Sequence, residues 1–418
     1  MKDSNDRVIV LGGGVIGLCS AYYALRRGLP VTVIERETAG GDNCSLGNAG
    51  MIVPSHFIPL AAPGMIAKGL RWMFNPESPF YIRPRLDPAL ARWGWLFYRH
   101  STPGHVERSR ELLRDLNLES RRLFLELAEE DDFGLAKGGM LMLCKTAKGL
   151  DEEAAVAAAA RAIGLEAEVL DPAAAARLDP GITMDLAGAV HFPQDCHLDP
   201  ARFMAALRRQ ITALGGEIAS GVEIDTLETR DGRVVALSGG GRRFEGGQFV
   251  IAGGSWSPSL LRQAGLKLPL QAGKGYSLTL ADPPELPALC SIFVEAKVAV
   301  TPIGGSLRFA GTMEVGGLDL SINPGRVRGI VKSVHGYFPK FREQDFEGVK
   351  PWAGLRPVSP DGIPYLGRVP KLSNLVAATG HAMMGLSLGP VSGRLVADLL
   401  TGDPPFRPVD AMAPGRFD

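Results

Sequence analysis

The chain has 418 residues, 45% hydrophobic and 22% charged, the composition of an ordinary globular protein, too long for one minimal core and suited to two interleaved domains. Lys plus Arg and Asp plus Glu balance at 45 each, so no overall field recruits nucleic acid or an acidic membrane surface. No run approaches the roughly twenty apolar residues of a spanning helix, and polar Met1 to Asp6 passes directly into an apolar strand without room for a signal peptide, so the expected location is cytoplasmic.

Arg7 to Leu11 form an apolar run that breaks into Gly12-Gly13-Gly14-Val15-Ile16-Gly17 and then a helical pattern. This predicts a strand, a glycine turn and a helix. Gly12 permits the turn, Gly14 lets backbone approach a pyrophosphate, and Gly17 lets the helix lie close on the strand. With Val15 and Ile16 they form the first cofactor segment, where phosphates sit on free N–H groups at the helix N-terminus. Val31 to Ile34 predicts a second strand ending in Glu35, an acid placed to accept hydrogen bonds from an adenosine ribose, with Arg36 beside it. A carboxylate there argues against a 2′-phosphate.

A glycine-rich loop, Gly40-Gly41-Asp42-Asn43-Cys44-Ser45-Leu46-Gly47-Asn48-Ala49-Gly50-Met51, follows where a nicotinamide-binding fold would enter its next helix. With this loop the sequence resembles the D-amino acid oxidase superfamily of FAD-dependent amine oxidoreductases, and within it the small-subunit type of bacterial D-amino acid dehydrogenase. The resemblance implies an α/β fold: a Rossmann-like FAD-binding domain (1–55, 186–265 and 346–418) interleaved with a substrate domain built on a mixed or antiparallel sheet (56–185 and 266–345). It also implies that Cys44, Ser45, Asn48, Ala49, Gly50 and Met51 touch the flavin side of FAD.

Pro54 to His100 is rich in proline and aromatics and supports two readings: packing around the substrate domain, or an apolar surface, residues 63–98, that meets a partner subunit or the inner face of the membrane. Leucines at helical spacing predict a long helix from Val106 to Glu130, and alanines another from Asp151 to Ile163. Asp171-Pro172 and Asp199-Pro200 each read as N-cap and first helical residue. Gly221 to Ile224 predicts a strand, in which the resemblance sets Val222 against the adenine, and Asp231-Gly232 a hairpin turn. His191, Cys196 and His197 match no common zinc spacing and read as loop packing, and five scattered cysteines read as reduced thiols.

Phe249 to Ser257 runs from an apolar strand into small residues and resembles the family segment in which Ala252, Gly253 and Trp256 face FAD. From Leu268 to Met313 the pattern is β-like. Gly275-Tyr276-Ser277 resembles the family K-G-Y-S, and Tyr276 is either a pocket residue or an ordinary strand aromatic. Trp352 to Pro357, Asp361 to Gly367 and Gly380 to Pro390 resemble the family G-x-R-P, D-x-x-P-x-x-G and G-H-x-x-x-G series in order and spacing. Gly385, Leu386, Ser387 and Leu388 then precede a helix, Pro390 to Leu400, whose N-terminal dipole would favour an anionic reduced ring.

The implied reaction is oxidative deamination of a D-amino acid by hydride transfer from Cα to flavin N5, with electrons passing to a quinone or dye. Arg356 is the expected carboxylate anchor, since a guanidinium grips a carboxylate through two parallel hydrogen bonds. Tyr276, His381 and Met384 complete the expected substrate site, and Met383 and Met384, where glycine oxidases carry Arg, suit an apolar side chain. Gly47 stands where sarcosine-type dehydrogenases attach FAD through His, so non-covalent FAD is expected. No general base stands out. The alternatives are a secondary-amine dehydrogenase or oxidase and a structural flavoprotein subunit.

Overall fold

A computed structural model describes residues 7–38, 41, 43–73, 75 and 77–418, without the side chain of Lys68. Met1 to Asp6, Gly40 and Asp42, named above, lie outside the described residues, as does Phe74 within the 63–98 surface.

The first strand β1 (Val8–Leu11) leads into helix α1 (Val15–Arg26), then β2 (Val31–Glu35) and the short β3 (Met51–Ile52). Next come α2 (Met65–Met73), β4 (Phe80–Ile82), α3 (Pro88–His100), α4 (Pro103–Glu130), β5 (Met140–Cys144), α5 (Ala147–Ala162), β6 (Glu168–Leu170) and α6 (Pro172–Leu178). The chain continues through β7 (Gly188–Phe192), β8 (Cys196–His197), α7 (Pro200–Ala213), β9 (Glu217–Ser220), the meander β10 (Thr226–Arg230), β11 (Arg233–Gly239) and β12 (Arg242–Glu245), β13 (Gln248–Ile251) and α8 (Ser257–Gln263). Four further strands, β14 (Gln271–Leu280), β15 (Cys290–Phe293), β16 (Val298–Ile303) and β17 (Ser306–Val315), precede α9 (Pro324–Tyr337). The last elements are β18 (Trp352–Val358), β19 (Tyr365–Arg368), β20 (Leu375–Thr379) and α10 (Gly389–Thr401).

One sheet has the order β19-β20-β13-β1-β2-β9, parallel except for the β19–β20 pair. Side chains alternate across it. Val8, Val10, Val31, Val33, Val250 and Val376 join α1, α4, α7 and α10 in one core, while Ile9, Leu11, Ile34, Phe249, Ile251 and Leu375 pack with α8 and the meander in another. Apolar runs buried on both faces are what a parallel sheet with two covers requires. The second sheet has the order β18-β14-β17-β16-β15-β5-β7-β6, with β4 paired to β17, and is mixed because β15–β5 and β17–β4 are parallel. Phe293, Phe309, Phe338 and Phe341 pack it on α9.

Sheet and core membership crosses the expected segment boundaries at three places. Strands β7 and β18 pair in the second sheet, and α4 packs into the core of the first. The pairing of a capping side chain with a first-turn proline is used more widely than at Asp171 and Asp199: Asp87-Pro88, Thr102-Pro103 and Asn323-Pro324 repeat it. Pro103 begins α4 three residues before Val106. Helix α5 starts at Ala147, where Thr146 accepts from Gly149 N.

The expected strand 221–224 is corrected. The strand ends at Ser220, opposite Glu35, and Gly221 turns at φ +72°. Val222 then hangs on one hydrogen bond from its N–H to Glu35 O, 3.0 Å.

Candidate active site

A cavity of about 860 Å³ runs from the end of β2 to the face of the second sheet. At its first end the glycine turn is tightly built. Gly12 lies at φ +110°, and a Cβ there would sit 2.5 Å from Ala252 O; one on Gly17 would sit 1.8 Å from Gly12 O. Gly12 and Gly17 therefore fix how closely α1 approaches β1 and β13, whereas a Cβ on Gly14 would meet only Ser45 Oγ, at 3.5 Å, on the cavity side. Val15 N donates to Ser45 Oγ at 3.0 Å, which ties the helix N-terminus to the glycine-rich loop. Glu35 is held by two backbone donors, Gly13 N at 2.6 Å and Glu37 N at 2.9 Å, so its carboxylate has one orientation. Arg36 lies 4.3 Å over the Trp256 ring.

The cavity wall brings together Gly12, Gly14, Val15, Ile16, Glu35, Arg36, Cys44, Ser45, Asn48, Ala49, Met51, Val222, Ala252, Gly253 and Trp256 from five separated stretches of chain. Gly385 and Leu386 join them before α10. Gly17, Gly50, Ser387 and Leu388 stand behind the wall. Gly50 turns the chain at φ +77° where a Cβ would touch Leu198 O, and Ser387 Oγ accepts from Val53 N and donates to Asn117 Oδ1 at 2.7 Å. Leu388 is fully buried in the helical core.

At the other end Arg356, on β18, lies across β14. A Cβ on Gly275 would be 2.2 Å from its guanidinium, so the glycine of Gly275-Tyr276 makes the room that Arg356 fills. Arg356 Nη1 donates to Thr312 O at 2.6 Å. Thr312 holds φ +69°, costly for a β-branched residue, at the place where the β14–β17 register shifts. Among the described residues no carboxylate pairs with Arg356, and burial holds its pKa below the usual guanidinium range. Tyr276 lines the cavity and donates to Glu314 Oε2 at 3.0 Å; burial and that carboxylate raise its pKa. Lys274, under the ring, donates to Ser321 O at 2.7 Å. His381 Nε2 meets Ser392 Oγ at 2.9 Å, and burial pushes the imidazole down to about 3, which keeps it neutral. Met384 is buried and Met383 is exposed, both on the wall.

The family model for FAD dependent oxidoreductases, DAO, matches residues 7–399. The chain belongs to this family. It is 34% identical over 408 residues to a protein named D-amino acid dehydrogenase from Granulibacter bethesdensis, covering 96% of each, and 34% identical over 420 residues to one so named from Methylobacterium radiotolerans, covering 98% of this chain and 99% of that one. Among solved structures, glycine oxidase from Geobacillus kaustophilus superposes with a TM-score of 0.79 at 25% identity, over 99% of this chain and 100% of that one. Iminodiacetate oxidase from a Chelativorans species, at 21% identity and a TM-score of 0.72 over 98% and 99% of the two chains, shares the fold.

The DAO family cofactor, FAD, fits these residues. The anchored carboxylate, the glycine turn at a helix N-terminus and the long cavity joining them to Arg356 are what a dinucleotide carrying a ring system requires. Trp352 presses on the loop: a Cβ on Gly47 would come within 2.2 Å of its ring, and one on Gly354 within 2.0 Å. Arg308, from β17, donates to Leu46 O at 3.1 Å and Asn48 O at 2.7 Å and so fastens this loop to the second sheet. Sequence reasoning missed Trp352, Arg308, Thr312 and His56, all of which line the cavity or hold its wall. Only the paired glycines Gly47 and Gly354 carried a signal, as space left for one large ring.

Proposed function

We propose that the chain oxidatively deaminates D-amino acids with apolar side chains to 2-oxo acids and ammonia. The observation that carries this reading is Arg356, a cation without a carboxylate partner among the described residues, set on a wall whose other members are largely apolar. Two N–H groups of a guanidinium can hold both oxygens of an α-carboxylate, which fixes Cα and decides which of its hydrogens faces the cofactor. Met65, Trp72, Phe80, Met142, Ile292 and Met313 offer an apolar surface for the side chain and keep water from the reacting centre. Tyr276, fixed by Glu314, limits how the ligand can turn. FAD, when bound, supplies the acceptor for the hydride that leaves Cα. The resulting imino acid is hydrolysed by water.

The two relatives at 34% identity, both named D-amino acid dehydrogenase, support D-amino acids as substrate and a dehydrogenase reaction, for which the acceptor in this reading is a quinone or dye. Contact with that acceptor at a membrane surface would use the outward part of residues 63–98. There Leu70, Leu86, Trp95 and Tyr98 are exposed while Trp93 and Leu96 are buried, and no helix among the described residues is long and apolar enough to cross a membrane. With Gly47 under the Trp352 ring and no histidine there, FAD is held without a covalent bond; acid precipitation should release all yellow colour into the supernatant, and a coloured pellet would refute this.

Rates of anaerobic flavin reduction by D-phenylalanine, D-alanine, D-proline and sarcosine test the substrate reading. The fastest reduction should come with D-phenylalanine. Faster reduction by D-proline or sarcosine would make this a secondary-amine enzyme, and no reduction by any of them would favour a structural flavoprotein.

A further inference from the structure

Sequence alone offers no general base, but the short β3–β8 ribbon builds one. Met51 pairs with His197 and Ile52 with Cys196, so the residues after β3 lie beside those before β8. This puts Ser55 against Asp195. Ser55 N donates to Asp195 Oδ1 at 3.0 Å, Ser55 Oγ donates to Asp195 Oδ2 at 2.5 Å, and Ser55 Oγ lies 3.1 Å from His56 Nδ1. Asp195 is fully buried, Ser55 is buried, and His56 is on the wall of the cavity that holds Arg356. Among the described residues the side-chain hydrogen bond of the His56 ring is the one at Nδ1.

The chemistry of a hydroxyl decides the direction of this chain. Its single hydrogen is given to the Asp195 carboxylate, so it can only accept from Nδ1, which must carry the imidazole proton. Nε2 is then a lone pair. If Asp195 takes a proton, the hydroxyl can turn, Nδ1 becomes the acceptor and Nε2 carries hydrogen.

We propose that His56, Ser55 and Asp195 form a proton relay that takes one proton from the substrate ammonium group. The proposal rests on the amino-acid reading above. The ammonium gives a proton to Nε2; Nδ1 gives its proton to Ser55 Oγ; Ser55 gives its proton to Asp195, which becomes a neutral acid. The imidazole ends uncharged with its tautomer exchanged. The freed amine lone pair is then available to form the C=N bond as Cα gives up its hydrogen with the electron pair, for which FAD, when bound, would supply the acceptor; the relay run backwards returns the proton to water.

A relay ending on a carboxylate solves a problem that His56 alone would pose. Burial and the Lys297 charge push the imidazole down to about 4, too weak a base to hold the proton itself. Burial raises Asp195 to about 7, against hydrogen bonds from Ser55 and the charge of Arg121 from α4, and Cys196 and Cys290 pack nearby. The proton therefore comes to rest on a group matched to neutral pH.

The test uses FAD-loaded protein. In holoenzyme carrying ¹⁵N-histidine, His56 should hold its proton on Nδ1 above about pH 7 and shift toward Nε2–H below it, and Asp195→Asn should abolish this transition. A His56 tautomer fixed from pH 5 to 9 overturns the relay whether or not the chain oxidises amino acids. Anaerobic flavin reduction by D-phenylalanine should fall about tenfold per pH unit below about pH 7, and Ser55→Ala should slow it on the order of 10–100-fold and flatten that slope. Ser55→Thr, which keeps the hydroxyl, should restore both. Reduction in Ser55→Ala that keeps the wild-type rate and slope, with FAD content unchanged, also overturns the relay. A normal tautomer transition with no reduction by any amino acid overturns the substrate reading instead.

Discussion

Replacing Arg356 by Met keeps the unbranched stem of the side chain and removes the guanidinium over Gly275 with its charge. In the wild type one N–H of the guanidinium is committed to Thr312 O, which leaves four for a ligand. Truncating one member of a buried, hydrogen-bonded charge pair costs about 2–5 kcal/mol. Because the cavity is open enough to admit ligand, we place the loss at about 3 kcal/mol, on the order of a hundredfold in kcat/KM. The assay is the ratio of kcat/KM for D-phenylalanine to that for 2-phenylethylamine, which lacks only the carboxylate. The ratio should collapse by about that hundredfold in Arg356→Met, because the amine never used the guanidinium. Gly275→Ala, whose Cβ would push the guanidinium from 2.2 Å, should lower the ratio in the same direction by less. If Arg356→Met lost activity equally on both compounds, or kept its preference for the amino acid, the anchor assignment would be wrong.

Arg308→Ala removes two charge-assisted hydrogen bonds to the carbonyls of the 46–48 loop, each worth about 1.5–3 kcal/mol; FAD dissociation measured by fluorescence should show Kd raised at least tenfold, and an unchanged Kd would mean the loop holds its shape alone. Asp195 gives a stability prediction with a definite sign. Its folded pKa of about 7 lies above the ordinary 3.8, so its contribution to stability falls as pH rises from about 4 to 7 and stays low above that. Asp195→Asn should therefore raise Tm at pH 8 relative to wild type, with the gain shrinking toward pH 4; a gain independent of pH would contradict the burial argument. Gly17→Ala drives a Cβ to 1.8 Å from Gly12 O, and overpacking of this kind costs about 1–3 kcal/mol; it should lower both Tm and FAD content, and normal FAD content would refute the role given to this contact.

The first sheet and the glycine-turn end of the cavity were legible because they rest on local rules. Glycines at fixed offsets, an acid at a strand end and Asx-Pro helix starts each depend on a few neighbouring residues. The reach of α4 into the first core was not legible, since a leucine stripe says that a helix is amphipathic without saying what it faces. The strand at 221–224 failed because Gly221 ends the ladder, and an apolar alternation continues past the last pairing partner. The opposite wall of the cavity depends on contacts between distant strands. Gly275 and Arg356 are separate motifs in sequence and one structural unit across β14 and β18. The Ser55, His56 and Asp195 chain was invisible for the same reason, because it needs the β3–β8 pairing to bring residues 140 apart within 2.5 Å.

The proposed reaction requires an apolar D-amino acid to lie between Arg356 and the bound cofactor. Anaerobic titration of the purified yellow protein with D-phenylalanine, followed through flavin absorbance, tests this most directly. Complete bleaching by the D-enantiomer, with the L-enantiomer at least a hundredfold slower, is the predicted result; a flavin that stays oxidised with the D-enantiomer, or bleaches equally with both, would contradict it.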